Sequence, residues 1–296
     1  AEPSTSPSRA RLVARIKEKF PQATWTEYAA IDTANGERAL TEVFGQPTRA
    51  LPDFAKAKRV LSLDADFLCD SENAIGQARA WSKTRKIRSA DEAKQMSRLY
   101  MVESNISSTG SMADHRLRLS SSQIPAFAAQ VAAAVLKSTG GDRGLLSKME
   151  AAGSALKVDP KWVAECAADL VEHAGSSLVV VGEQQPASVH AIALALNNAL
   201  SAPVDYVEVP EAAEGMSTAV ERLNSGSIET LVILGGNPAY DAPADLDWKA
   251  LQEKVPTCVH LAYQYNETSE RADLHIAQSH YLESWGDGRA YDGTLL

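Results

Sequence analysis

A length of 296 residues exceeds the ~100 to 200 of a usual single domain. With 45% apolar but only 6% aromatic residues, the chain predicts two α/β domains whose cores are filled by Ala, Leu and Val. A formal net charge of −9 removes any global attraction to phosphate backbones and argues against nucleic acid as a partner. No apolar run reaches the ~18 to 20 residues that cross a bilayer, so no direct membrane insertion is expected.

The opening AEPSTSPS has the Pro/Ser-rich composition of a linker, as an excised or processed segment would. A basic amphipathic helix is expected from Arg9 to Phe20, then strands in ATWTEYAAI and in KRVLSLDADFL. The stretch from Ser71 to Thr84 reads as a helix whose basic end, Lys83 to Arg88, is a solvated helix terminus. RLYMVES is the next strand, followed by the polar loop NISSTGSMADH, a short alternating RLRL, and an Ala-rich helix from Pro125 to Leu136. The turn-rich KSTGGDRG then marks a boundary, giving a first lobe over 1–138 and a second over 139–296. In the second lobe, Pro160 and Gly175 bracket a helix, and SLVVVG, TLVILGG and TCVHLAY alternate with helices in SVHAIALALNNAL and from Leu246 to Lys254. The expected fold is α/β, two Rossmann-like lobes with mostly parallel sheets.

An internal repeat runs through this pattern. RLYMVESNISSTGSMADHRL and TCVHLAYQYNETSERADLHI share the order strand, polar Thr-containing loop, Ala-Asp, and the strands before them, RVLSLDADF and TLVILGGNPAY, correspond as well.

Ligands of open parallel sheets lie beyond the carboxyl ends of the strands. Gly235-Gly236-Asn237-Pro238 stands at such an end, where adjacent glycines permit positive φ and close approach of a ligand, while a plain structural turn explains the same residues. LVVVGEQQPASVHA has only Gly182 where a dinucleotide fingerprint needs several glycines, and no GxxxxGK[ST] occurs. Cys69, Cys166 and Cys258 form no C-x-x-C pair, which argues against metal–sulfur sites, and Cys166 and Cys258 read as small buried hydrophobes. His275, His280 and Glu283 are poorly spaced for a metal, and His280 and Glu283 read as turn-stabilising groups. Asp64, Asp66, Asp70 and Glu72 lack the calcium-loop pattern and are expected in a solvated acidic loop, and Asp287 and Asp292 in Gly-rich turns. No GxSxG elbow or Cys-His signature is present, so no catalytic residue and no metal ligand is assigned.

Taken together, these loops resemble the central domains of the molybdopterin-dependent oxidoreductase superfamily. RLYMVESNISSTGSMADHRLRL resembles the family's strand, Asp-Pro-Arg-x-Thr loop and Ala-Asp; TLVILGGNPAYDAP resembles its Gly-x-Asn-Pro loop; NETSERADLHIAQSHYLESWGDGRAYDG resembles its Glu-Thr, Ala-Asp-x-x-Leu-Pro and Glu-x-x-Gly-Thr run. The match implies cofactor-binding positions at Gly235, Gly236, Asn237, Pro238, Thr109 and Asp114. Val102-Glu103-Ser104-Asn105 lacks the Asp-Pro-Arg, and LDADFL replaces the first Gly-x-Asn-Pro turn. Loss of that Arg beside Asp66, Asp70 and Glu103 repels an anionic dinucleotide. The variant loops SLDADFL, RLYMVES, TGSMADHRL and HYLESWGDGRAYDG are similar to the iron–sulfur protein subunit of alternative complex III, a bacterial quinol:cytochrome c (electron-acceptor) oxidoreductase.

That resemblance implies a cofactor-free scaffold segment, with iron–sulfur clusters elsewhere in the full-length subunit. It also implies other subunits of a membrane-bound respiratory complex as partners, and the periplasmic side of the bacterial inner membrane as location. Two alternatives stand beside it: a fragment of an active enzyme binding a pterin–guanine dinucleotide, and a small-nucleotide binding module using the Gly235–Pro238 loop alone.

Overall fold

Short runs of Val, Leu and Ile, bounded by polar residues, become strands of parallel sheets flanked by helices, as the α/β expectation required. The computed structural model describes residues 1–296, which divide into a continuous unit, Thr33–Pro210, and a split unit made of Ala1–Asp32 with Glu211–Leu296.

The continuous unit holds β1 (Thr48–Pro52), β2 (Arg59–Leu63), β3 (Arg98–Glu103), β4 (His115–Arg118), β5 (Ser177–Val181) and β6 (Val204–Glu208). Its main sheet is parallel in the order β4-β3-β2-β5, with Arg59–Leu63 aligned to Arg98–Val102 on one side and Ser177–Val181 on the other. Alternate side chains leave β2 to opposite faces. Leu61 and Leu63 join Phe127, Val131, Cys166, Leu170 and Leu196 beneath the helices Ile124–Thr139, Pro160–Glu172 and Ala187–Ala199. Val60 joins Phe54, Phe67 and Trp81 on the other face, where Phe54 and Phe67 stack at 4.3 Å and Trp81 meets Phe67 edge-on at 5.9 Å. The sequence reading missed β1 and β6, a two-stranded antiparallel sheet joining residues that are far apart in the chain.

Near the start of β2 and β3, Asp169 on the helix Pro160–Glu172 gathers three donors. Arg59 Nε reaches it at 2.6 Å, Arg98 Nη1 at 2.7 Å and Tyr100 Oη at 2.7 Å. Burial pushes the Asp169 carboxyl up, but the hydrogen bonds from Tyr100 and Arg59 and the charges of Arg59 and Arg98 outweigh it and hold it below the usual carboxylate value. The Tyr100 hydroxyl is pushed up to about 12, by burial first and then by its bond to Asp169.

The expected boundary at 138/139 lies inside the helix Ile124–Thr139, and KSTGGDRG is a turn between that helix and Arg143–Gly153. The division falls elsewhere because β5 pairs with β2 and the helices on either side of the turn pack in one core. ATWTEYAAI forms no strand; Thr26 alone makes a bridge, to Glu214, with no ladder to extend it.

In the split unit, β7 (Thr230–Leu234), β8 (Thr257–Ala262) and β9 (Leu274–Ala277) run parallel in that order. The helices Met216–Asn224 and Trp248–Glu253 help build its core from Leu223, Ile233, Trp248, Leu251 and Cys258. The expected basic helix forms as Pro7–Lys19, capped by Ser6 Oγ accepting from Arg9 N at 3.0 Å, and buries no residue. No helix is long and apolar enough to cross a membrane.

Replacing Asp169 with Ala leaves Arg59 and Tyr100 without their acceptor, so Asp169→Ala is expected to lower stability by about 3 kcal/mol. Urea denaturation measures it. Because the folded Asp169 pKa is depressed, this stabilisation is present above the unfolded carboxyl pKa and is lost as pH falls through the folded one.

Candidate functional site

The loops that leave β7 and β8 at their carboxyl ends carry the Gly-Gly-Asn-Pro turn. Gly235 and Gly236 both take positive φ, +69° and +72°, which the missing Cβ permits. The turn brings Asn237 against the β8 loop, where its Oδ1 accepts from Thr268 Oγ1 at 2.8 Å and Thr268 N at 3.2 Å. Thr268 Oγ1 in turn accepts from Ala239 N at 3.0 Å, and Asn237 Nδ2 donates to Glu267 at 2.6 Å. Asp273 accepts from Cys258 N at 2.7 Å and ties the entry of β9 to the start of β8.

Beneath the turn, fully buried His260 bridges Gly236 O at 3.2 Å and Ser269 Oγ at 2.9 Å, and Ser269 Oγ meets His275 Nδ1 at 3.0 Å. A carbonyl only accepts, so His260 donates from Nε2 to Gly236 O, and the Ser269 hydroxyl lies among His260 Nδ1, His275 Nδ1 and Asn266 Oδ1, the last at 3.2 Å. Burial, then the neighbouring His275, push the His260 pKa below the usual histidine value.

Glu2 N donates to Leu234 O at 3.2 Å, and the Glu2 carboxylate lies over the turn, so that a Cβ on Gly235 would come within 2.6 Å of Oε2. Beside β7 a cavity of about 420 Å³ opens, lined by Glu2, Tyr28, Met216, Leu231, Val232 and Trp248 among others.

The continuous unit repeats the threonine brace and the aspartate tie of this construction. Asp66 stands where Asn237 stands, accepting from Thr109 N at 2.8 Å and Thr109 Oγ1 at 2.6 Å, and Thr109 Oγ1 accepts from Leu68 N at 3.1 Å. Asp114 matches Asp273, accepting from Leu99 N at 2.8 Å, and it also pairs with Arg85 at 2.6 Å. Asp64 holds the place of Gly235 with φ +58°. Its carboxylate accepts from Ser121 Oγ at 2.8 Å and Gln185 Nε2 at 2.9 Å, and its carbonyl accepts from Gln184 Nε2 at 2.7 Å. Here β2 has neighbours reached by chain paths in both directions, the place where such sheets open a ligand crevice. Asp64 fills that crevice, and a Cβ on Gly182 would strike the Asp64 carbonyl.

Of the cofactor positions implied by the resemblance, Gly235, Gly236, Asn237 and Pro238 come together in the split unit. Thr109 and Asp114 lie in the continuous unit, where Thr109 is fully buried and both are spent on internal hydrogen bonds. Asp64 and Asp66 do not form the expected solvated loop, because both turn inward onto loop donors; Asp70 is exposed and Glu72 pairs with Arg49 at 3.0 Å. Glu103 is buried, paired with Arg116 at 2.5 Å and bonded to Ser107 Oγ at 2.6 Å. Aligning the repeats is the signal that finds Thr268, Asp273 and Asp66.

His280 N donates to Glu283 at 3.0 Å and Leu282 N to His280 Nδ1 at 3.2 Å, the turn-stabilising roles expected of them. Asp169, Glu172 and His173 have ligand atoms within 4.8 Å of one another, but Arg59, Arg98 and Tyr100 occupy the Asp169 oxygens. Cys166 and Cys258 are buried and Cys69 is exposed, all three free. The Glu183 carboxyl, at the end of β5, is pushed up to about 7 by burial and by Glu37 and Glu72.

The fold is similar to that of acetylene hydratase from Pelobacter acetylenicus, at TM-score 0.57 and 13% identity, over 85% of this chain and 44% of that one. It is similar also to the formyltransferase/hydrolase complex FhcABCD from Methylorubrum extorquens, determined in complex with methylofuran, at TM-score 0.55 and 12% identity, over 93% of this chain and 77% of that one. The chain thus spans under half of the acetylene hydratase, and the likeness is one of α/β fold alone. No protein-family model matches the sequence, and no curated protein matches it.

Asn237→Ala strips an acceptor from buried Thr268, and we expect a loss of about 1–3 kcal/mol in urea denaturation, with Asp66→Ala similar in its own unit. The lowered His260 pKa means that the unfolded chain protonates first, so its contribution is complete above the ordinary value of 6.5 and declines as pH falls below it. Denaturation of wild type and His260→Gln between pH 8 and pH 5 (~ values chosen to straddle an ordinary His) should show the flatter profile in the variant. For Glu183 the sign is opposite: the folded carboxyl, at about 7 against an ordinary 4.5, keeps its proton longer than the unfolded one. Stability therefore drops as pH rises from 4.5 to about 7, and Glu183→Gln should remove that drop in the same titration.

Proposed function

We propose that this chain is a cofactor-free, molybdopterin-oxidoreductase-like scaffold segment of the iron–sulfur subunit of a respiratory quinol:cytochrome c (electron-acceptor) oxidoreductase, organising neighbouring subunits on the periplasmic side of a bacterial inner membrane. The observation that carries the reading is the use of carboxylates at both carboxyl-end loops. Asp64 fills the crevice beside β2, and Glu2 lies over the Gly235-Gly236 turn. A pterin–guanine dinucleotide carries phosphates, and these carboxylates would face it with charge of the same sign. The acetylene hydratase likeness supports the fold part of the reading. The loop wording SLDADFL, RLYMVES and HYLESWGDGRAYDG supports the subunit part.

The positive-φ turn beside a cavity of about 420 Å³ favours a second reading, a small-nucleotide module at Gly235–Pro238. It requires guanine-nucleotide affinity that Gly236→Val abolishes while the split unit stays folded.

The test is metal analysis of the native full-length protein together with mass spectrometry of small molecules released on denaturation. We expect iron without molybdenum, tungsten or pterin. Stoichiometric molybdenum or tungsten with a pterin dinucleotide would overturn the cofactor-free reading in favour of an active-enzyme fragment. Calorimetric titration with guanine nucleotides should give no heat of binding.

A further inference from the structure

The repeat makes the two units comparable strand by strand, and the comparison leaves one edge unmatched. β2 and β7 are counterparts, as are β3 with β8 and β4 with β9. β2 has a fourth strand on its other side, β5, in parallel register from Arg59↔Ser177 to Leu63↔Val181. β7 has none there. In a parallel ladder alternate residues bond to alternate neighbours. Arg59 N donates to Ser176 O, and Leu63 O receives Gly182 N at 2.9 Å. Their counterparts on the free side are Thr230, Val232 and Leu234, and of these Leu234 O is met, by Glu2 N at 3.2 Å. Glu2 therefore holds the place that Gly182 holds beyond the end of β5, while the places of Ser177 to Val180 stand open. Val232 is 52% exposed there, and Leu231, Val232 and Ile233 all line the cavity of about 420 Å³.

We propose that this edge of β7 receives an extended, uncharged segment of a partner polypeptide, rich in β-branched residues, as a fourth, parallel strand in the register that β5 takes on β2. The chemistry of the occupant follows from the wall. Leu231, Val232, Met216 and Trp248 supply apolar surface, while Glu2 and Asp241 disfavour acidic side chains. Backbone hydrogen bonds to an open sheet edge give the affinity, and alternate apolar side chains give the register. A second copy of the chain fits less well, since a two-fold contact between identical edges pairs them antiparallel, whereas the counterpart edge is filled in parallel. The proposal goes beyond the scaffold reading and does not depend on it, because it stands on the strand edge and not on whether the Gly235-Gly236 turn holds a cofactor.

The probe is a capped synthetic peptide of the chain's own Ser176–Val181 sequence, SSLVVV, which is uncharged and carries the required pattern. It is added to the full 296-residue chain, and amide exchange is read residue by residue. We expect the Thr230 and Val232 amides to slow at least tenfold with saturating peptide (~1.4 kcal/mol per tenfold), while Leu231 and Ile233, which face β8, stay as they were. Val232→Pro removes an edge N–H that β8 does not use and should abolish the effect. Should that variant fail to fold, Val232→Lys places a charge on the same edge and should weaken binding at least tenfold. A spin label on the peptide's first residue should broaden Thr230 and spare Leu234. Absence of protection at millimolar peptide, broadening at Leu234 in place of Thr230, or concentration-dependent protection without peptide, which marks a second copy, would each overturn the proposal.

Discussion

After β2 and after β7 the chain turns through a residue of positive φ, and the side chain two positions later, Asp66 or Asn237, takes the hydroxyl and N–H of a threonine in the neighbouring loop. The rest of each unit hangs on this brace. The threonines are fully buried, so their polar atoms need partners inside the protein. Each threonine in turn accepts from the backbone that leaves the turn, at Leu68 or Ala239, which locks two loops with one hydroxyl. At the other end of the same strands Asp114 or Asp273 takes a backbone N–H of the neighbouring strand. The strand between, β3 or β8, is thereby held by side chains to the preceding strand's loop at its carboxyl end and to the entry of the following strand at its start, the places where a short ladder frays first.

The brace also decides what the carboxyl-end loops can offer a ligand. Backbone N–H groups and open glycine turns at such loops bind anions elsewhere in α/β proteins. In the continuous unit those loops are filled by Asp64, Ser121 and Gln185 bonding to one another, and Glu103 is neutralised by Arg116 below them. In the split unit the glycines remain, with the Glu2 carboxylate laid over them. The two units reach a similar closure by different chemistry, one with an acidic residue in the turn itself and the other with an acidic residue contributed by a distant segment.

The units differ most where they bury charge and where they end. Asp169 concentrates two arginines and a tyrosine near the strand starts of the continuous unit, while the split unit places a histidine pair and a serine under its turn. A four-stranded sheet in one unit and a three-stranded sheet in the other leave β7 as an apolar strand on an edge, a condition that folded proteins relieve by covering or by pairing.

The sequence by itself determined the local elements. Short β-branched runs such as RVLSL and TLVIL cannot reach helical length and became strands, Ala-rich stretches such as PAFAAQVAAAVL became helices, and the Gly-Gly pair announced a positive-φ turn. The repeat, read from residue order alone, paired RVLSLDADF with TLVILGGNPAY and RLYMVES with TCVHLAY as segments, and the structure sets Asp66 opposite Asn237 and Thr109 opposite Thr268 within them. Only the tertiary structure decided which strands share a sheet. SLVVV follows a Gly-rich turn and reads as the start of a new lobe, yet it pairs with RVLSL more than a hundred positions earlier, and TRALP pairs with VDYVE across a similar gap. Local composition holds no record of such pairing, because the hydrogen bonds that choose it are made between residues brought together only by the shared core. For the same reason the acidic loop read as solvated: a carboxylate's partners, here Thr109, Ser121 and Gln185, lie on other segments of the chain, and its neighbours in sequence do not reveal them.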